Sequence, residues 1–183
     1  MFKGSKIQKW LANAAYQVIS IIAMASVAIA CCFTLLFRTV VVDGSSMNPT
    51  LWDMDRLIVS AGVTGYDYGD IVVICQPNTM EKVLIKRVIA TEGQTIDINF
   101  RTGDVYIDGE LLSEPYIADP TTLEEGMKFP VTVPEGCVFC MGDNRLHSTD
   151  SRSTMVGFIN KNYIMGRVLF RVAPKFDLHV AEF

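Results

Sequence analysis

The sequence predicts a mainly β protein, in which an antiparallel β-sandwich or barrel-like domain follows one N-terminal transmembrane helix. Residues 18–37 form an apolar run of 20 residues without a charge, and about 20 helical residues span the roughly 30 Å core of a membrane. After Arg38 the pattern changes to short β-rich runs separated by Gly, Pro, Asp and Asn, which is typical of antiparallel strands. We therefore expect a tail with the start of the helix (1–17), a transmembrane anchor (18–37) and a β-domain (38–183).

The composition is that of one folded domain with a small appendage. The chain has 183 residues, of which 50% are hydrophobic, and its mean hydropathy is +0.28. These values exclude a disordered chain. The net charge of -4 leaves no basic surface to neutralise phosphates, so nucleic acid is not an expected partner.

The charges beside the apolar run predict its orientation. Lys3, Lys6 and Lys9 precede the run, whereas only Arg38 closes its far end. Because basic residues stay on the cytoplasmic side, we expect a single pass through the cell membrane, a cytoplasmic N-terminus and an extracytoplasmic β-domain. The first strand of that domain follows the anchor within two residues and is expected near the outer membrane surface.

A cleavable leader is the alternative interpretation of this segment. The basic start, the apolar stretch and Ala-Ile-Ala at 28–30 also fit a signal peptide, and Cys31 fits a lipoprotein site. However, the apolar run continues to Phe37, so cleavage would cut the helix in its middle. This favours an uncleaved anchor.

Eight runs of the β-domain are expected to form strands, and no helix longer than a turn or two is expected there. Gly103-Asp104 and Asp108-Gly109 flank one short run and are expected to form its turns. The eight runs are TVVV (39–42), RLIVS (56–60), DIVVIC (70–75), KVLIKRVIA (82–90), QTIDI (94–98), DVYID (104–108), FPVTV (129–133) and CVFCM (137–141).

The cysteines do not indicate a disulfide framework or a metal site. There are five of them, an odd number, and Cys31 and Cys32 lie inside the apolar run. Cys137 and Cys140 have CxxC spacing, but strand side chains three residues apart point to opposite faces, and no second ligand pair follows. We therefore predict ordinary core thiols.

Three motifs of the β-domain combine residue types that carry chemistry. The first, GSSMNPTL at 44–51, taken alone also fits a polar turn. The second, LIKRVI at 84–89, places a lysine in an apolar strand, where lysine usually faces solvent. The third, MGDNRLHSTDSR at 141–152, holds more paired charges and short polar groups than a surface loop needs. It therefore fits a self-satisfying polar network.

Together with DIVVI at 70–74, in this order and after a membrane helix, the three motifs resemble the sequence boxes of bacterial type I signal peptidases. The phrases VYIDGELLSEPYI at 105–117 and IMGR at 164–167 extend the resemblance over nearly the whole chain. It implies a membrane-bound serine endopeptidase that removes N-terminal signal peptides from exported preproteins after A-x-A-like sites. Preproteins and the lipid bilayer would be its partners, and neither a cofactor nor a metal is expected.

The resemblance assigns a role to each residue of the site. The nucleophile would be Ser46 and the general base Lys86, with Ser148 as the hydroxyl that orients the lysine. The oxyanion would be held by the Ser46 N–H with help from Gly44. The supporting network would consist of Arg87, Asp143, Asp150 and Arg152. Shallow substrate pockets would be lined by Val40, Val42, Met47, Leu84 and Ile85.

The chain departs from the family's pattern at two positions. Many relatives have a hydroxyl residue where this chain has Gly44, which leaves the second oxyanion donor open between the Gly44 N–H and a water molecule. Gln94 stands where a Gly-Asp pair usually follows the lysine strand, and we expect it to affect a turn only. The short interval between Lys86 and Gly142 leaves no room for a large inserted domain, as in Gram-positive relatives.

A pair of serine and lysine is chemically consistent with these roles. A serine hydroxyl becomes a good nucleophile when a neighbouring base takes its proton, and a lysine can be that base only when it is neutral. Its ordinary pKa is about 10.4. Burial among Leu84, Ile85 and Val88 would lower the pKa of Lys86, because burial penalises the charged form.

Two other classes of function fit parts of the sequence. One is a Ser-His-Asp hydrolase built from His147 and Asp150, which would leave Lys86 without a role. The other is a tethered binding module, in which Ser46 lies in a turn and Lys86 on a solvated face. His179 is expected to be a surface residue.

Overall fold

The computed structural model describes residues 3–63, 65–77, 83–178 and 180, and it divides into two compact units, Met1–Phe37 and Arg38–Phe183. The first unit is built on one helix, α1, which spans Lys3–Leu36. Its stretch Lys9–Leu36 is the one helix among the described residues that is long and apolar enough to cross a membrane. Phe37, placed by the sequence at the end of the anchor, is the first residue of a strand.

The second unit consists of two β-sheets, so the prediction of a mainly β fold is confirmed. The large sheet has the strand order β1-β2-β11-β3-β4-β9-β10 and the small sheet has the order β7-β6-β5-β8. Neighbouring strands pair antiparallel throughout the small sheet and from β2 to β10 in the large one. The strands are β1 Phe37–Val41, β2 Arg56–Ser60, β3 Ile71–Ile74, β4 Leu84–Thr91, β5 Thr95–Asn99, β6 Asp104–Ile107, β7 Glu110–Leu111, β8 Val131–Thr132, β9 Cys137–Met141, β10 Ile159–Asn160 and β11 Ile164–Ala173.

Each of the eight predicted runs overlaps one strand, but the longest strand, β11, was not predicted from the strand pattern. It lies between β2 and β3 in the middle of the large sheet. Arg167 and Arg171 interrupt its apolar residues, which hides the alternation that marks a strand. Gly166 is required there, because a Cβ atom at this position would overlap the carbonyl oxygen of Ser60 on β2.

Strand β4 lies in the interior of the fold and is buried on both of its faces. On one side Ile85 packs with Ile71 and Val73. Further along the strand, Ile89 packs with residues of the small sheet such as Ile96. A lysine in the middle of β4 is therefore buried, whereas a lysine in an ordinary strand would face solvent.

Beyond α1, the described residues contain no helix longer than the 3-10 turn Lys161–Tyr163, in agreement with the sequence. Cys140 is buried in the core and Cys137 is half-buried, and both are free thiols. Strand β1 occupies one end of the large sheet. The loop that leaves it carries the first motif.

Candidate functional site

Ser46 lies in the loop that joins β1 to β2. Two apolar side chains of this loop, Met47 and Leu51, are buried in the core, and the Leu51 N–H donates to the Met47 carbonyl oxygen at 2.9 Å. Gly44 has a φ of +95°, a conformation that side-chain-bearing residues rarely adopt. The loop is thus anchored just after Ser46, which stays half-buried.

The structure brings Ser46 and Lys86 together. Lys86 Nζ lies 2.7 Å from Ser46 Oγ and 3.0 Å from the carbonyl oxygen of Ile85, and the lysine is only 3% exposed. Burial lowers the pKa of Lys86, although Asp150 and Asp143 act against this effect. A hydroxyl beside a buried amine of lowered pKa is an arrangement that can form a nucleophile and its base.

Asp150 is the centre of the hydrogen bonds within the third motif. It accepts from the Gly142 N–H at 2.9 Å, from Ser148 Oγ at 2.8 Å and from Arg152 Nε and Nη2, each at 2.9 Å. Burial would raise the pKa of Asp150, but the bonds and charge of Arg152 outweigh it and the pKa is lowered. The carboxylate is therefore ionised and holds the two ends of the loop together.

Arg87 and Asp143 form a second buried pair. Arg87 Nε and Nη2 lie 2.8 and 2.7 Å from the two carboxylate oxygens of Asp143, and both side chains are fully buried. Arg87 Nη1 also donates to the Gly69 carbonyl oxygen at 2.7 Å. Thr50 of the Ser46 loop donates to Asp143 at 2.5 Å, so this pair joins the first, second and third motifs.

Asn144 links the third motif directly to Ser46, and the sequence had not assigned it a role. Its backbone N–H donates to the Ser46 carbonyl oxygen at 3.1 Å, and its Nδ2 donates to the Ser45 carbonyl oxygen at 3.0 Å. Arg145, the next residue, is also buried and was also unassigned. Both residues lie within the third motif, 141–152, and this position is the signal that could have identified them.

Two residues that were expected to assist Ser46 and Lys86, namely Ser148 and Gly44, form hydrogen bonds to other groups. Ser148 is buried, but the hydrogen bonds of the described residues join its hydroxyl to Asp150 and not to Lys86. The Gly44 N–H donates to Asp53 Oδ1 at 2.8 Å, so it would reach an oxyanion only after leaving that carboxylate. The Ser46 N–H donates to no acceptor among the described residues.

A cleft of about 800 Å³ opens beside Ser46 and Lys86. Its walls include both segments that flank these residues, 38–44 and 83–86, together with Met165 from β11. The five residues predicted for the substrate pockets all line this cleft, namely Val40, Val42, Met47, Leu84 and Ile85.

His147 takes no part in this arrangement. It is exposed, and the side-chain partners of Asp150 within the described part of the chain are Ser148 and Arg152. The geometry therefore does not assemble a Ser-His-Asp triad. His179 lies outside the described residues. Within those residues, no group of three His, Cys, Asp or Glu side chains could hold a metal ion.

Comparisons with known proteins agree with the resemblance of the motifs. A family model described as signal peptidase, peptidase S26, matches residues 15–173. Signal peptidase I of Bacillus amyloliquefaciens is 39% identical in an alignment of 155 residues, and the match covers 78% of this chain and 77% of that protein. Signal peptidase I of Bacillus licheniformis is 36% identical in an alignment of 172 residues, and the match covers 88% of this chain and 90% of that protein.

Among solved structures, a crystal structure of a signal peptidase I from Enterococcus faecalis V583 is similar. It has 30% sequence identity and a TM-score of 0.47, and the match covers 58% of this chain and 98% of that one. The family model and the Bacillus relatives together extend over most of the chain. The chain therefore belongs to the signal peptidase family, peptidase S26, and is a serine endopeptidase.

Proposed function

We propose that this peptidase removes signal peptides from exported preproteins, cutting after A-x-A-like sites with Ser46 as nucleophile and Lys86 as general base. The observation that carries the proposal is the 2.7 Å contact between Ser46 Oγ and Lys86 Nζ at a lysine that is 3% exposed. The names of the relatives, signal peptidase I, support the class of substrate. The apolar stretch Lys9–Leu36, with lysines before it, supports a single-pass anchor with a cytoplasmic N-terminus.

Acylation begins when neutral Lys86 takes the proton of Ser46 Oγ. That oxygen attacks the carbonyl carbon of the scissile peptide, whose π electrons move onto the carbonyl oxygen to form an oxyanion. The Ser46 N–H stabilises this charge. The Lys86 ammonium then gives its proton to the leaving amine as the C–N bond breaks, so the signal peptide remains as an ester on Ser46.

Deacylation repeats these steps with water as the nucleophile. Neutral Lys86 takes a proton from the water molecule, whose oxygen attacks the ester carbon. The ester C–O bond then breaks, and the proton passes from Lys86 to Ser46 Oγ. The signal peptide leaves as a carboxylic acid, which loses its proton to solvent, and both catalytic side chains return to their starting state.

The cleft suits an extended substrate with small side chains near the cut. An extended chain can add to the edge strand β1 by main-chain hydrogen bonds. Its side chains alternate in direction, so the first and third residues before the cut would enter the same wall of the cleft. Branched and long apolar side chains such as Val42, Met47 and Ile85 line the cleft, and we infer that they leave room for alanine.

The test uses the full-length protein in detergent with a peptide that carries an A-x-A site. The wild type is expected to cut directly after this site, as determined by mass spectrometry of the products. Ser46→Ala and Lys86→Ala are expected to be inactive, whereas His147→Ala should be nearly as active as the wild type. Cleavage by the Ser46 or the Lys86 variant at the wild-type rate would rule out the proposed dyad.

A further inference from the structure

The small sheet also reaches the third motif, through a segment between β7 and β8. Residues 113–121, which we call the brace, place Glu114 against Arg145. The two carboxylate oxygens of Glu114 lie 3.0 and 2.5 Å from Arg145 Nη1 and Nη2, and these side chains are 6% and 0% exposed. A paired contact of this kind fixes orientation as well as distance.

Arg145 also forms a hydrogen bond to Gly142 and so connects Glu114 to this residue. Its Nε donates to the Gly142 carbonyl oxygen at 3.1 Å, while Thr121 of the brace lies 2.5 Å from Arg145 Nη1. The N–H of Gly142 is held from the other side, by Asp150 at 2.9 Å. The brace and Asp150 therefore fix the backbone at position 142 together.

Gly142 lies in direct contact with the proposed catalytic site. A Cβ atom at this position would overlap both the carbonyl oxygen of Ser46 and the hydroxyl oxygen of Ser148. The backbone at position 142 thus sets the spacing between these two serines. Any shift of Arg145 that moved Gly142 would therefore change the contact of the backbone at position 142 with Ser46 and Ser148.

Tyr116 of the brace holds Glu114 in turn. Its hydroxyl donates to Glu114 Oε1 at 2.9 Å, and it lies 3.2 Å from the hydroxyl of Tyr68. The Tyr116 ring is 4.2 Å from the guanidinium carbon of Arg87. The brace therefore contacts both Arg145 and the arginine that follows Lys86 in the sequence.

We propose that Glu114 is a positioning residue of the peptidase, which holds Gly142 through Arg145 so that Ser46 and Ser148 keep their spacing. The inference rests on the proposed function. Glu114 bonds to none of the reacting groups, so its effect reaches them only through Arg145 and the backbone. A structural role alone would change stability, whereas a positioning role changes the turnover of folded molecules.

The experiment compares two carboxylate-to-amide changes in the full-length protein in detergent. Glu114→Gln is expected to lower kcat by about 100-fold, because a misplacement of about 1 Å can have an effect of that size. KM is expected to stay within about threefold, since Glu114 does not line the cleft. Glu124→Gln, at an exposed position near the brace, is the matched control and should leave kcat and KM unchanged.

Tyr116→Phe is a milder variant, because it keeps the carboxylate and both arginines. The loss of one hydrogen bond to Glu114 is expected to lower kcat by about threefold to tenfold. Thermal unfolding of each variant shows whether the protein is folded at the assay temperature. All rates are then expressed per folded molecule.

The outcomes separate this inference from the proposed function. A folded Glu114→Gln variant with wild-type kcat overturns the positioning role, while a lowered kcat at similar KM supports it. If Glu114→Gln does not fold, Tyr116→Phe decides in the same way. A wild type that does not cut the A-x-A peptide, or a Ser46→Ala variant that does, contradicts the proposed function itself.

Discussion

Lys86 Nζ lies 2.7 Å from Ser46 Oγ, in a strand that is buried on both faces. This relationship places an amine where its charged form is penalised and its neutral form can accept the proton of a serine hydroxyl. The catalytic and thermodynamic consequences of burying this lysine can be measured separately.

Peptide cleavage is expected to speed up as the pH rises. Burial lowers the pKa of Lys86 below its ordinary value, so the neutral base becomes abundant below the pH at which an ordinary lysine deprotonates. The measurement is kcat/KM for an A-x-A peptide as a function of pH. Lys86→Arg should be inactive at every pH, because the guanidinium group stays protonated. An active Lys86→Arg enzyme together with an inactive His147→Ala enzyme would favour the histidine hydrolase.

The same lysine should make stability depend on pH. Its pKa is lower in the folded than in the unfolded state, so the unfolded chain binds more protons between the two pKa values and the free energy of unfolding rises with pH there. Below the lower of the two pKa values, Lys86 is protonated in both states, and burial of its charge lowers the free energy of unfolding by the full amount. Lys86→Met should therefore be most stabilising at low pH, with a gain that shrinks as the pH approaches the pKa of an ordinary lysine, about 10.4. Denaturant unfolding in detergent gives this difference, and a constant gain would contradict the shift.

Substrate selectivity should be strongest at the residue before the cut. Replacing Ala by Phe there should lower kcat/KM by at least about 100-fold, because a large ring does not fit beside Met47 and Ile85. The control peptide carries Phe one position earlier, where the side chain of an extended substrate points the other way. Equal cleavage of the Ala and Phe peptides would show that these residues do not form the pocket.

The pair of Arg87 and Asp143 should matter for folding. Asp143→Asn removes a fully buried carboxylate, and breaking a buried ion pair from one side typically costs about 3–5 kcal/mol. Glu92→Gln removes the charge of Glu92 from its partly exposed pair with Lys161 and should lower stability by no more than about 1 kcal/mol. The free energy of unfolding of both variants in denaturant provides the comparison. Similar values for the two would mean that the buried pair is not important for stability.

Orientation in the membrane is testable with intact cells. Three lysines precede the apolar run and one arginine follows it, so a protease added from outside should digest residues 38–183 and spare the N-terminal tail. Tags at the two ends of the chain report which part survives. Protection of the C-terminal tag, with loss of the N-terminal one, would reverse the predicted topology.

The sequence predicted the elements with a regular pattern and missed those without one. Strands such as β3 and β9 are uninterrupted apolar runs between turn residues, and they were found. Strand β11 carries arginines and a glycine among its apolar residues. It therefore shows neither the regular alternation nor the uninterrupted apolar run that predicts a strand. Its central place in the sheet depends on pairing with β2 and β3, which are distant in the sequence.

The site was predictable where its residues lie within the three motifs. Asp150 and Arg152, both assigned to the supporting network, are two positions apart and form an ion pair. Glu114 lies 31 residues from Arg145, and only the path of the chain from the small sheet brings the two together. The local motif contained no information about that path, so a buried partner for Arg145 could not be inferred from it.

The place of β1 at the end of the large sheet bears on how varied the substrates can be. Main-chain pairing with an edge strand is the same for almost any amino-acid sequence, so selection would rest on the few side chains that meet the cleft. One enzyme can then process many preproteins whose signal peptides share little beyond small residues near the cut. Proline is the exception, since it has no N–H to donate. Within the stretch that pairs with β1, a proline should slow cleavage even when both alanines are kept.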